Sequence, residues 1–351
     1  MHNTLLRVTG RMTVAALIGA LLSFSPAQAT PGLFGAQDPT YDGVYRHALL
    51  IVGLTAHGQP VPSAAKRWLQ TQQCADGGFE AFRADPAKPC TTADAANYVG
   101  IDTNSTSAAA VAFSALGDRE RARRALGYLR TTQNPDGGFP YYDGGDSDVN
   151  STALAILAFR ANRVAPVSVA TGAGQPFAYL SKSILDCNSR TPGAMSFWGE
   201  ASDKATVQAL VALRPTLPWK NSGFINDFWP ACPRPTAPSS LWSAAAFHTS
   251  QMLATNGFAV PIPAAFGGGT DTSDTAWAVL GLIGTGRAPG ITSAALSTLR
   301  NAAPTYAVDK DGRPLAGRIG LLLMVAAASN DDPRDFGGVD LIALSKQALG
   351  R

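Results

Sequence analysis

A twelve-residue unit occurs twice in this chain. Trp68-Leu69-Gln70-Thr71-Gln72-Gln73-Cys74-Ala75-Asp76-Gly77-Gly78-Phe79 returns sixty residues later as Tyr128-Leu129-Arg130-Thr131-Thr132-Gln133-Asn134-Pro135-Asp136-Gly137-Gly138-Phe139. Each copy reads as the end of an amphipathic helix running into a Gly-Gly turn. Each is followed by a second recurring piece, Asp102-Thr103-Asn104-Ser105-Thr106 or Asp148-Val149-Asn150-Ser151-Thr152. A helix-pair repeat cannot bury its apolar face alone, so copies must stack on one another.

Two kinds of helix alternate along the chain. The outer kind is amphipathic, as in 119–133, where Ala122, Ala125, Leu126 and Leu129 fall at helical spacing and arginines take the other face. The inner kind is alanine-rich and apolar almost all round, which requires burial on every side. Inner helices are predicted over 41–56, 102–116, 148–159, 203–213, 271–283 and 317–328, and outer helices over 63–73, 119–133, 175–185, 239–255, 292–301 and 340–349. Six of each close most simply into an all-α (α/α)6 toroid, an inner barrel wrapped by an outer ring. Thr106, Thr152, Thr206 and Thr275 mark four equivalent inner-helix starts, and their unequal spacing locates insertions at 83–99, 164–174 and 215–238. The last of these concentrates Trp219, Phe224, Phe228 and Trp229.

Residues 1–29 read as a secretory signal peptide: Arg7 and Arg11, an apolar stretch over 12–24, then Pro26-Ala27-Gln28-Ala29. The expected mature chain is one toroid domain over 30–351, secreted and beginning at Thr30. Removing the leader leaves 26 basic against 25 acidic residues, a balance that offers no electrostatic footprint for nucleic acid or an anionic membrane. No run of about twenty apolar residues predicts a membrane span. Cys74, Cys90, Cys187 and Cys232 are an even number in an exported chain, so disulfides are expected, with Cys74–Cys90 and Cys187–Cys232 preferred because each would pin an irregular insertion.

The Gln-x-x-Asp-Gly-Gly-Phe repeats, the Asp-x-Asn-Ser-Thr helix starts and the six helix pairs resemble the terpene cyclase and prenyltransferase α/α toroid superfamily over nearly all of the mature chain. That superfamily includes class II terpene cyclases, protein prenyltransferase β subunits, complement thioester domains and the cobalamin-binding α domain of transcobalamin and intrinsic factor. Class II cyclases carry an Asp-x-Asp-Asp motif whose middle acid protonates the substrate. Here Asp148-Val149-Asn150-Ser151 puts Asn150 at that position, and Asp271-Thr272-Ser273-Asp274 puts Ser273 there. Neither side chain is a Brønsted acid, so a cyclase reading falls back on Asp148 or Asp274. A prenyltransferase zinc site needs an Asp, a Cys and a His together; the cysteines are expected in disulfides, and His47, His57 and His248 are scattered. The Cys-Gly-Glu-Gln run of a thioester domain is absent from the sequence.

The Asp-Gly-Gly-Phe turns need only a structural explanation, with glycine at positive φ and phenylalanine anchoring the turn to the core. The Asp-x-Asn-Ser-Thr starts read first as N-caps, yet a cap needs one such residue and each start supplies four. All inner helices of a toroid begin at one end, so the surplus collects in a ring above an apolar barrel. The candidate ligand-binding residues at that mouth are Asp102, Asn104, Asp148, Asn150, Tyr141, Tyr142, Trp198, Asp271, Ser273 and Asp274. Three functions stay open. The first is a secreted monomeric toroid that binds a small amphipathic ligand without cofactor or catalysis; the resemblance to transcobalamin's α domain implies a corrinoid, with a second secreted or envelope protein closing over it. The second is a variant class II terpene cyclase acting on a polyprenoid, and the third a cell-envelope interaction module.

Overall fold

The computed structural model describes residues 30–166, 174–214, 217, 219, 238–283 and 288–349. Among them run twelve helices: α1 (Gly43–Ala56), α2 (Ser63–Gln72), α3 (Thr103–Leu116), α4 (Arg119–Thr131), α5 (Val149–Ala161), α6 (Pro176–Ser183), α7 (Asp203–Leu213), α8 (Pro238–Thr255), α9 (Thr272–Ile283), α10 (Pro289–Tyr306), α11 (Ala316–Ser329) and α12 (Leu341–Gln347). The odd-numbered helices form a closed inner ring, α1 against α3, α3 against α5, α5 against α7, α7 against α9, α9 against α11, and α11 back against α1. The even-numbered helices lie outside, each packed on the inner helix that precedes it. This is the all-α toroid expected from the repeat. Within the described residues no helix is long and apolar enough to cross a membrane.

The two helix kinds differ as their sequences require. Ala109, Ala110 and Ala112 of α3 and Ala153, Ala155 and Ala158 of α5 are fully buried, and small side chains let neighbouring helices approach. In α4, Ala122, Ala125, Leu126 and Leu129 face the core and the arginines stay at the surface. The seam between α1 and α11 is tighter. A Cβ on Gly53 would lie 2.6 Å from the Gly320 carbonyl oxygen, and one on Gly320 would lie 2.4 Å from the Leu49 carbonyl carbon, so these helices meet backbone to backbone.

Helix boundaries match the expected ones to within about two residues except at α10, which runs over Pro289–Tyr306 instead of 292–301. Pro289 starts the helix where its missing N–H costs nothing, and Pro304 stands in the final turns. There the buried Leu299, Ala303 and Tyr306 continue the apolar stripe, and their packing overrides the one hydrogen bond that Pro304 forfeits. Three short antiparallel hairpins, absent from the sequence reading, precede inner helices: β1 (Phe139–Pro140) with β2 (Ser147–Asp148), β3 (Met195–Phe197) with β4 (Glu200–Ser202), and β5 (Val260–Pro261) with β6 (Thr270–Asp271). At two or three residues per strand they are too short for a periodic pattern to register.

Cys74 and Cys90 form a disulfide with Cα atoms 5.8 Å apart, pinning the 83–99 insertion against the end of α2 as expected. Cys187 is also disulfide-bonded, and its expected partner Cys232 lies outside the described residues. Closing a loop of 16 residues constrains the unfolded chain, and the Cys74→Ser/Cys90→Ser variant is expected to lose about 3 kcal/mol of unfolding free energy. Equilibrium urea unfolding checks this, and a midpoint unchanged from the parent would contradict it.

Candidate functional site at the barrel mouth

One local unit builds the entrance four times. The backbone N–H groups of Phe79, Phe139, Met195 and Val260 donate to Thr106, Thr152, Thr206 and Thr275 Oγ1 at 3.0, 2.9, 2.8 and 2.9 Å. Phe139, Met195 and Val260 each stand opposite an N-cap, Asp148, Ser202 and Asp271, while Asp102 N–H donates to Phe79 O at 2.9 Å. The threonine series is therefore a structural bolt between each turn and the helix it feeds. In α1 a comparable bond is made one residue further into the helix by His47, whose Nδ1 accepts from Phe34 N–H at 3.2 Å and whose Nε2 lies 3.0 Å from Ala65 O. Burial drives its pKa down to about 3, so it stays neutral. His57 bonds the Leu323 carbonyl and His248 bonds Asp203, so the three histidines sit apart in separate structural roles.

The Asp-Gly-Gly-Phe turns are equally structural. Asp76 and Asp136 Oδ1 accept from Gly78 and Gly138 N–H, and Gln73 and Gln133 Nε2 donate to Gly77 and Gly137 O. Gly77 has φ of 99°, and a Cβ there would stand 2.3 Å from Arg124 O, so only glycine fits.

The starts of the inner helices converge at one end. Asp102 Oδ1 caps α3 by accepting from Ser105 N–H at 2.7 Å, Asp148 caps α5 through Ser151 N–H and Oγ at 2.7 Å each, and Asp271 caps α9 through Asp274 N–H at 2.9 Å. Asn150 Nδ2 donates to Gln208 Oε1 on α7 at 2.7 Å, and Ser273 Oγ lies 2.7 Å from the Tyr306 hydroxyl on α10. Both therefore spend at least one polar contact on a neighbouring helix. Tyr142 donates its hydroxyl to Tyr98 O at 2.9 Å and rests edge-on against Tyr141. Trp198 stands 80% exposed at the tip of the β3–β4 hairpin, stacked on Phe197.

Asp274 differs from the caps. It is 5% exposed, yet among the described residues no hydrogen bond reaches its carboxylate. Burial raises its pKa to about 6, with Lys204 opposing the rise and Asp271 and Asp203 adding to it. Asp102 is raised to about 7, again chiefly by burial. Its Oδ2 has no partner among the described residues, and the same holds for three neighbours on the first turns of α3: Thr103 Oγ1, Asn104 Oδ1 and Ser107 Oγ.

Ser107 also lines a small apolar pocket inside the ring, with a cavity volume of about 30 Å³. Five of the six inner helices contribute to it, through residues such as Tyr45, Val52, Leu157, Trp277 and Met324. Trp219, which follows the C-terminus of α7, lines it too, so this residue of the aromatic insertion reaches the barrel interior. Phe224, Phe228 and Trp229 lie outside the described residues. Tyr45 is within electrostatic reach of Asp274, and Tyr141 within reach of Asp102, Asp148 and Tyr45, which ties the predicted residues into one cluster. The sequence reading missed Tyr45, Ser107, Gln208 and Trp277. The signal available was a ring, hydroxyl or amide interrupting an apolar helix within two turns of its start.

A closed ring of six inner and six outer helices defines the α/α toroid, the fold of the terpene cyclase and prenyltransferase superfamily. Candida albicans protein geranylgeranyltransferase-I complexed with GGPP is similar over 89% of this chain and 92% of that one, with a TM-score of 0.51 at 12% identity. The type II terpene cyclase MstE from Scytonema aligns over 77% of this chain and 72% of its own with a TM-score of 0.44 at 14% identity. A protein from Actinoplanes aligns over 81% and 76% with a TM-score of 0.49 at 15% identity. The first of these carries the fold and, at such identity, nothing more. No protein-family model and no curated relative matches the chain.

Proposed function

We propose that this protein is a secreted, non-catalytic toroid that binds an amphipathic ligand, with an apolar group meeting the mouth of the barrel pocket and the polar end on the first turns of α3. One observation carries this reading. Four buried polar atoms, Asp102 Oδ2, Thr103 Oγ1, Asn104 Oδ1 and Ser107 Oγ, lack partners among the described residues at the start of one helix, and Ser107 faces the apolar pocket. Each unsatisfied buried group costs about 1–3 kcal/mol, a cost removed when a ligand supplies the missing partner. The Cys74–Cys90 disulfide suits an oxidising compartment.

The cyclase reading stands behind it. Ser273 and Asn150, at the position of the middle acid, are turned to Tyr306 and Gln208. A carboxyl with a pKa raised to about 6, as at Asp274, is a weaker acid than an ordinary one, whereas protonating an alkene calls for a stronger one. A corrin ring is wide and flat, and would rest on Tyr141 and Trp198 at the rim, where a second secreted protein could cover it.

Native mass spectrometry of the mature protein against polyprenols, corrinoids and oligosaccharides, with tryptophan fluorescence reporting through Trp277 and Trp219, tests the proposal. Ser107→Ala is expected to leave stability unchanged or slightly raised, because it deletes an unsatisfied hydroxyl, while weakening ligand binding about tenfold. No retained ligand of any class, or an affinity untouched by Ser107→Ala, would overturn the reading in favour of an envelope interaction module.

A further inference from the structure

We infer that the amphiphile taken at this mouth carries a cationic head, an amine or quaternary ammonium on a hydrocarbon chain. The inference rests on the binding reading above and names the charge of its ligand.

The charge of the entrance is mainly negative. The segments 37–42, 91–102, 139–148, 195–203 and 260–271, which lead into α1, α3, α5, α7 and α9, hold ten carboxylates and no lysine or arginine, while 307–315, which leads into α11, sets Lys310 and Arg313 against Asp309 and Asp311. Such a rim concentrates cations and repels anions on approach. The charged groups facing the inner carboxylates are few. Lys204 at the start of α7 is exposed, Arg318 of α11 is held over the Tyr306 ring at 5.0 Å, Arg46 of α1 is paired with Asp42, and His248 of α8 is bonded to Asp203.

Two carboxylates within the rim keep unused capacity among the described residues. Asp102 is 1% exposed, with Oδ1 bonded to Ser105 N–H and Oδ2 unpartnered, and Asp274 is 5% exposed with no hydrogen bond from a described residue to its carboxylate. Buried carboxylates are ordinarily paired, because an uncompensated charge away from water is costly. Beside them stand Tyr45 and Trp277, whose rings line the pocket, and Tyr141 at the rim. Aromatic faces next to carboxylates are a cation environment, since both present negative potential. Ser107, buried, unpartnered and lining the same pocket, marks where the head meets the chain. An anionic head would meet an excess of like charge here, with Lys204 as the exposed cation near Asp274. A neutral head would satisfy hydroxyls but leave Asp102 without a counter-charge and Asp274 with Lys204 alone to offset its burial.

The test uses three probes with one tail, dodecyltrimethylammonium, dodecyl maltoside and dodecanoate, each below its micellar concentration and titrated into the mature protein by tryptophan fluorescence. The ammonium probe is expected to bind about tenfold or more tighter than the other two at pH 8 and low salt. That preference is expected to shrink with added salt and as the pH falls from 7 to 5, because protonation of Asp102 and Asp274, raised to about 7 and about 6, removes the counter-charge. Asp274→Asn and Asp102→Asn are each expected to cut ammonium affinity about tenfold and to lower maltoside affinity by less than that, so that the preference for ammonium shrinks. Should a variant fail to fold by circular dichroism, the salt and pH profile of the parent decides. Binding of all three probes with equal affinity, or a preference for dodecanoate, overturns the cationic head and leaves the binding reading intact. Binding of none overturns both.

Discussion

Gly320→Leu is expected to lower the unfolding free energy by about 3 kcal/mol or more, or to prevent folding outright. Even a methyl group there would stand 2.4 Å from the Leu49 carbonyl carbon and 2.5 Å from Leu50 N, both backbone atoms that cannot step aside without moving α1. The cost is global because α1 and α11 are the first and last members of the inner ring, and their contact is what closes it. Gly117→Ala serves as the comparison. Gly117 ends α3 at φ of 75°, and a methyl group added there would meet no atom within 4 Å, so that variant carries only a local backbone penalty of about 1 kcal/mol. Chemical unfolding of both variants separates the two costs, and a Gly320→Leu protein as stable as Gly117→Ala would show that the seam is looser than these distances imply.

Stability is expected to fall as pH rises from about 4 to about 7, the reverse of the usual carboxylate behaviour. Asp102 and Asp274, raised to about 7 and about 6, hold a proton in the folded state at pH values where the unfolded chain, with carboxyls at 3.8, has already released it. The unfolded state then binds fewer protons than the folded one, so each step up in pH through this window favours unfolding. Below about 4 both states are protonated, and above about 7 both are ionised. The fully buried Asp102 alone accounts for on the order of 4 kcal/mol across the window. Asp38, Asp94 and Asp309 lie at the surface or half-buried and are lowered by local hydrogen bonds, so they act below it. Urea unfolding at pH 5 and pH 8 measures the drop. Asp102→Asn keeps an N-capping side chain and is expected to flatten most of it; a parent profile level across the window would refute the assignment.

The two results meet in one property of the mouth. Asp102 is an N-cap through one oxygen and an unsatisfied buried carboxyl through the other. A site that destabilises the empty protein as its carboxyls ionise is stabilised by whatever neutralises them, so a cationic ligand and a proton compete for the same groups.

The sequence by itself determined the repeat, the helix inventory and the caps, because these depend on residues a few positions apart. Helical spacing of Ala122, Ala125, Leu126 and Leu129, the aspartate three residues before a capped N–H, and glycine where φ must be positive all read locally. The 16-residue Cys74–Cys90 link was legible for the same reason. Tertiary structure alone decided which polar residues of the Asp-x-Asn-Ser-Thr starts are occupied. Asn150 meets Gln208 from 58 residues away and Ser273 meets Tyr306 from 33 away, whereas Asn104 Oδ1 and Ser107 Oγ meet nothing among the described residues. Near-identical motifs thus diverge, since a hydrogen-bond partner is a matter of distance in space and the ring sets that distance. Closure likewise rests on Gly53 and Gly320, two glycines far apart in the chain whose requirement to be glycine arises only where α1 and α11 touch.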